Sequence, residues 1–189
     1  FVMPRQPHSL EAIDARGPVR SAAEISLKDR LRTVTRRIET AGACGAEQPE
    51  AIHQLRVATR RASAALALYR RLVPRRHRRW LRRRLRELRE ATGSVRDVDV
   101  LLQTAGDPAN SAVVQPEPAS ELAATLRHRR AAATGPLLEV LQELEHGKQL
   151  RKRIRRLMCC VQRSDAASAD RRFDDWACRR LRAIARRFF

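Results

Sequence analysis

The segment His53-Gln-Leu-Arg56-Val-Ala-Thr-Arg60 places an imidazole and two guanidinium groups at helical spacing. A helical pattern without glycine extends from about residue 49 to 73. Because an α-helix turns about 100° per residue, these three side chains and that of Arg71 fall within a band of about 60°. Guanidinium groups bind phosphate oxygens through paired hydrogen bonds. This face therefore predicts a binding surface for a polyanion.

The opposite face of the same helix is apolar. On the basic face, small residues such as Ala64 and Ala67 lie between the basic residues and leave them accessible. We therefore expect the basic face to point outward and the apolar face to enter a core. The predicted inward residues are Leu55, Ala58, Ala62, Leu66 and Tyr69.

The net charge of the chain supports an anionic partner. The 189 residues include 40 Lys+Arg and 21 Asp+Glu, which gives a formal charge of +19. Such a charge repels itself unless anions relieve it. Nucleic acid, an acidic membrane surface, and inorganic or organic polyphosphate are the candidate partners. No apolar segment approaches the length of a membrane span, so we expect no membrane-spanning helix.

The remaining apolar stripes also have helical periodicity, and no alternating strand pattern is present. The predicted fold class is all-α, with a four-helix N-terminal bundle at 23–105 and an incomplete second bundle at 119–189. Residues 1–22 are predicted to form a flexible arm and residues 106–118 a linker.

Two glycines are predicted to divide helices. Gly93 would cap a third helix, and Ser94 would then begin a fourth helix with Asp97 and Asp99 in its first turn. In the second half, Gly135-Pro136 would separate helices at about 119–134 and 137–162, and Gly147 could break the latter. A last amphipathic helix is predicted at about 171–189.

The block His53-Gln-Leu-Arg-Val-Ala-Thr-Arg-Arg61 resembles the signature of the CHAD family, the conserved histidine α-helical domain. A second block, Gly93-Ser-Val-Arg96-Asp97-Val-Asp99-Val, follows Leu85-Arg-Glu-Leu88 at the expected distance. The similarity extends over about 24–105 and more weakly over 119–189.

This resemblance implies two pseudo-symmetric four-helix bundles that bind inorganic polyphosphate in a basic groove without catalysis. It also implies localisation at polyphosphate granules, and in some members fusion to a triphosphate-tunnel hydrolase domain. His53 would hydrogen-bond a phosphate oxygen, more strongly when protonated. The basic face and the resemblance together predict a polyphosphate site formed by His53, Arg56, Arg60, Arg61, Arg71, Arg86 and Arg96.

The chain departs from the family pattern in two places. Ala62-Ser63 stands where the family usually has Leu-Arg, which predicts the loss of one basic contact. The sequence ends at Phe188-Phe189, about where members begin a second His-x-x-Arg helix. We therefore expect an incomplete second bundle whose last-helix aromatic residues need a partner.

The sequence has no motif of a phosphate-binding loop, a nucleophile elbow or a metal site, so neither an enzyme nor a cofactor is predicted. Asp97 and Asp99 could be metal ligands or a general base, but we interpret them as helix-capping residues that orient arginines. Cys44, Cys159, Cys160 and Cys178 form no Cys-x-x-Cys pair and are predicted to be free, buried residues of a cytoplasmic protein. Binding of RNA or DNA through the same charge is the alternative function.

Overall fold

The computed structural model describes residues 12–44, 48–105, 116–146 and 149–186. This part of the chain is all-α, which confirms the predicted fold class. Its helices are α1 (Val19–Ala43), α2 (Pro49–Leu68), α3 (Arg75–Ala105), α4 (Pro116–His146), α5 (Gln149–Gln162) and α6 (Phe173–Ala185).

One hydrophobic core joins these helices. α1 packs against α2, α4, α5 and α6, and α3 packs against both α2 and α4. The five residues that were predicted to point inward, four on α2 and Tyr69 directly after it, are all buried, which confirms the apolar face. Residues from both sides of the 106–115 segment contribute to this core. The basic face of α2 consequently lies away from the core, beside α3.

The start of α1 and the start of α6 are joined through their backbones. The amide of Val19 donates to the carbonyl of Arg171 at 2.9 Å, and the amide of Phe173 donates to the carbonyl of Gly17 at 2.9 Å. α1 therefore begins at Val19, four residues before its predicted start. Residues 1–11 lie outside the described part of the chain.

The aromatic residues of the last helix were expected to need a partner, and Tyr69 of the same chain provides one for Trp176. The rings of Tyr69 and Trp176 stack with centroids 5.5 Å apart and planes within 6° of parallel. The hydroxyl of Tyr69 lies 3.3 Å from that of Ser26, and burial raises the pKa of Tyr69. This stack attaches α6 to the end of α2. Phe188 and Phe189 lie outside the described residues.

The predicted division of the N-terminal half into four helices is wrong. α3 continues through Gly93 without a break, so residues 12–44 and 48–105 form three helices where four were predicted. A glycine inside a helix costs only about 1 kcal/mol relative to alanine. The buried stripe continues on both sides of it through Leu88, Thr92 and Val95, and the burial of this stripe outweighs that cost. Ser94 consequently lies inside α3 and begins no helix.

The predicted break at Gly135-Pro136 is also wrong, because α4 continues past Pro136 to His146. Proline removes one helical hydrogen bond. Here the buried Leu126, before it, and Leu137, after it, keep one face of α4 against the core. The last three positions of the predicted 106–118 linker belong to α4, and the rest of it and Gly147 lie outside the described residues.

All four cysteines are free, as predicted, but their predicted burial is wrong. Cys159 and Cys178 are exposed, and Cys44 and Cys160 are half-buried. Cys159 is exposed because it lies outside the buried stripe of α5, which is formed by Leu150, Leu157 and Val161.

His77 is the one buried histidine in the described part of the chain. It is 2% exposed, and neither ring nitrogen has a hydrogen-bond partner among the described residues. Burial, followed by the positive charges of Arg76, Arg153 and Arg156, lowers the pKa of His77. Folding therefore favours the neutral form of this imidazole.

We expect this histidine to make the free energy of unfolding depend on pH. A histidine whose pKa is lowered by folding binds fewer protons in the folded state, so stability is complete above the ordinary pKa of about 6.5 and falls as the pH decreases below it. Denaturant titrations of the parent between pH 8 and pH 5 should show this loss, and His77→Leu should reduce it. His128→Leu, at an exposed position of α4, is the matched control. An unchanged pH dependence in His77→Leu would contradict the assignment.

Candidate anion-binding site

Arg56 of α2 contacts the backbone of α3. Its side chain is half-buried, and Nη1 donates to the backbone carbonyl of Arg89 at 3.3 Å. The same Nη1 lies 2.9 Å from the position that a Cβ atom on Gly93 would occupy. The two helices pack together and are joined by a short turn, so they are antiparallel neighbours. The contact of Arg56 with Gly93 therefore gives their register.

This register brings predicted residues of the two helices together. Both helices rise about 1.5 Å per residue, so His53, three residues before Arg56, lies at the level of Arg96, three residues after Gly93. By the same argument Arg60 lies at the level of Arg89. His53 and Arg96 are half-buried, and Arg60 is exposed.

We call this line of residues the α2–α3 seam. On α3 the members Arg86, Arg89 and Arg96 follow one another at helical spacing, with Gly93 between the last two. From Arg86 to Arg96 the stripe is about 15 Å long. The seam is formed by His53, Arg56, Arg60, Arg86, Arg89 and Arg96.

Two predicted site residues lie elsewhere. Arg61 is exposed on α2 but is turned about 100° away from Arg60. Arg71 is not on α2 at all, because the helix ends at Leu68 and not at the predicted residue 73. Leu72 and Val73 turn into the core before Pro74, which disfavours a helical residue in front of it. Arg71 therefore cannot continue the basic line of α2.

Arg71 instead lines a surface cavity of about 740 Å³ at the α2–α3 turn. Four other arginines line it, together with Cys159, Cys160 and Asp165. These arginines are Arg70, Arg75, Arg78 and Arg163.

A second cavity, of about 820 Å³, extends along α3 as far as Arg86. It shares Arg75 and Arg78 with the first cavity, and among the described residues its lining contains arginines and Trp80 but no carboxylate. Positive surface thus continues from the seam along α3 to the α2–α3 turn.

Sequence reasoning missed Arg89. Its position three residues after Arg86 and seven before Arg96 could have identified it, since these intervals keep all three on one helix face. The sequence did not show that the backbone carbonyl of Arg89 accepts a hydrogen bond from Arg56, which joins α2 to α3.

Several arginines outside the seam are neutralised by carboxylates. Arg84 lies 2.7 Å from both Glu87 and Glu143, and the hydrogen bond with Glu87 is the main cause of the raised pKa of Arg84. Arg130 pairs with the buried Asp99 at 2.6 Å. In the part of the chain that the structure describes, no seam residue forms such an ion pair. The seam is therefore a surface of uncompensated positive charge.

The predicted roles of the two aspartates are partly corrected. Neither Asp97 nor Asp99 begins a helix, since both lie inside α3. Asp99 does orient an arginine, but that arginine is Arg130 of α4, and the ion pair joins α3 to α4. Asp97 is exposed.

A family model described as the CHAD domain matches residues 25–189. The chain belongs to the CHAD family. CHAD domains are helical and are known in general terms to bind polyphosphate, and the domain is a binding module that is not itself catalytic. No curated protein and no solved structure matches this chain.

Within residues 12–44, 48–105, 116–146 and 149–186, no group of three or more His, Cys, Asp or Glu residues is placed to hold a metal ion. In the same segments, no helix combines the length and the apolar character needed to cross a bilayer.

Proposed function

We propose that this CHAD chain binds inorganic polyphosphate at the α2–α3 seam, without catalysis. The observation that carries the proposal is the contact of Arg56 with Arg89 and Gly93, because it sets basic residues of α2 opposite those of α3. Association with polyphosphate granules, and with a hydrolase domain of the triphosphate-tunnel type, belongs to the same proposal.

The chemistry of the seam suits a threaded phosphate chain. Arg60 is exposed, and Arg56 and Arg96 are half-buried, where hydrogen bonds to anions are stronger than in bulk water. Each can bind phosphate oxygens with two N–H groups, and His53 can donate one hydrogen bond. Binding would release counterions, so the affinity should fall steeply as salt is added.

The positions of the aromatic side chains favour polyphosphate over nucleic acid. Proteins that bind single strands stack bases on exposed rings. In the described residues, Tyr69 and Trp176 stack on each other in the core, Phe173 is half-buried beside Trp176, and Trp80 is half-buried beside the guanidinium groups of Arg84 and Arg153, so none of these rings belongs to the seam. Ion pairing, not base stacking, is therefore the interaction that this surface supports.

We expect a competition experiment to separate the two functions. At fixed ionic strength, long-chain polyphosphate should displace a fluorescent RNA from the protein, whereas RNA at an equal charge concentration should not displace labelled polyphosphate. The close-set arginines are the reason, since they match phosphates that lie nearer together than those of RNA. Equal displacement in both directions, measured by fluorescence anisotropy, would favour a general nucleic-acid-binding protein.

Incubation of the protein with polyphosphate, with and without Mg²⁺, tests the non-catalytic part of the proposal. Release of phosphate in proportion to the amount of protein would contradict it.

A further inference from the structure

Gly93 lies on α3 at the place where Arg56 of α2 contacts the α3 backbone. A Cβ atom built there would come within 2.9 Å of Nη1 of Arg56 and within 4.0 Å of its Cζ. Apart from the nearby backbone of α3 itself, the guanidinium of Arg56 is the one group of the described residues within 4 Å of that position. The space that a side chain would fill at this position is therefore occupied by the guanidinium group.

The backbone of α3 gives no other reason for a glycine. Residue 93 is inside a continuous helix, where glycine is less favourable than nearly every other residue. Its φ angle is not in the left-handed region that favours glycine. The close approach of Arg56 is thus the feature of this structure that requires the missing side chain.

We propose that Gly93 is a positioning residue for the anion site, acting through Arg56. Because it has no side chain, the guanidinium of Arg56 can approach the backbone of α3 closely enough for Nη1 to donate to the carbonyl of Arg89, and this contact fixes where the charge of Arg56 lies in the seam. This inference rests on the proposed function and identifies a residue without charge that determines the geometry of the site.

Gly93→Ala should raise the thermal stability of the protein and lower its affinity for polyphosphate, so the two effects can be told apart. The new methyl group displaces a flexible side-chain end, and the helix gains a better helix former, so the melting temperature should rise by about 2–4 °C. Polyphosphate affinity should fall roughly three- to tenfold, because the guanidinium is displaced from its charge-assisted contacts. Arg56→Ala should have a larger effect, since it removes the group.

Gly42→Ala is the matched control. Gly42 also lies in a helix, and a Cβ atom there would come within 3.0 Å of the end of another flexible charged side chain, that of Glu145. It is on α1, and the side chain that it meets belongs to α4, which contributes no residue to the seam. We expect Gly42→Ala to bind polyphosphate like the parent protein.

A double-mutant cycle shows whether Gly93 acts through Arg56. In the Arg56→Ala background, Gly93→Ala should not reduce affinity further, because the side chain that it displaces is gone. Parental binding by Gly93→Ala, or an equal loss in both backgrounds, would overturn the inference while leaving the proposed function in place. Parental binding by Arg56→Ala would instead reject the proposed role of Arg56, and with it this inference.

Discussion

Replacing His53, Arg56 and Arg60 together with alanine is expected to weaken polyphosphate binding at least about tenfold. Each hydrogen bond to a charged group contributes roughly 1.5–3 kcal/mol when its partner is held in place. Two of the three side chains are half-buried beside α3, so their contacts should not be fully screened by water. Calorimetric titration at one salt concentration measures the change in affinity.

The control for this variant must remove charge without touching the seam. Arg32 on α1 and Arg179 on α6 are exposed, and replacing both with alanine lowers the net charge by two, as the triple variant does with neutral His53. Circular dichroism should show parental helix content in both variants. A triple variant that binds like the parent, or a control that loses as much affinity, would reject the seam as the site.

Asp99→Ala is expected to lower the free energy of unfolding by about 3 kcal/mol. The carboxylate of Asp99 is 2% exposed and accepts a hydrogen bond from Nε of Arg130 at 2.6 Å, while the side chain of Arg130 is 19% exposed. Removing one partner of a buried ion pair leaves the other charge poorly compensated, which is costly. Urea unfolding followed by circular dichroism measures this change.

The exposed ion pair of Arg151 with Glu39 provides the comparison. It joins α5 to α1, and its side chains are 70% and 38% exposed. Because exposed pairs contribute little, Glu39→Ala should lower the free energy of unfolding by less than about 1 kcal/mol. If Asp99→Ala had as small an effect as Glu39→Ala, the inference that the Asp99–Arg130 pair stabilises the fold would be wrong.

The sequence predicted those parts of the fold that depend on local periodicity. Leucine and alanine at intervals of three and four predicted the buried face of α2, and the buried Leu55 and Leu66 confirm it. The family resemblance is confirmed by the match over residues 25–189. Both depend on residues that are near one another in the sequence.

Helix ends were predicted less well, because tertiary burial decides them. Gly93 and Pro136 are residues that often end a helix, yet both lie inside one here, since the buried stripes of α3 and α4 continue past them. In α2 the opposite happened: Leu72 and Val73 enter the core and end the helix early, which removes Arg71 from the basic line.

The composition of the candidate site could be predicted only in part. A helical wheel shows that His53, Arg56 and Arg60 share a face, but it says nothing about the axial offset between α2 and α3. The contact of Arg56 with Gly93 reveals that offset, and this glycine looked like a helix end in the sequence. The assignment of the seam residues to polyphosphate stays a prediction.

Protection of individual arginines from chemical modification tests the central claim most directly. The protein would be treated with an arginine-specific dicarbonyl reagent, with and without long-chain polyphosphate, and the modified positions quantified by mass spectrometry. We predict that polyphosphate protects Arg60, Arg86 and Arg96 strongly and leaves Arg32 and Arg179 as reactive as before. Equal protection of all five, or protection that spares the seam, would contradict the account.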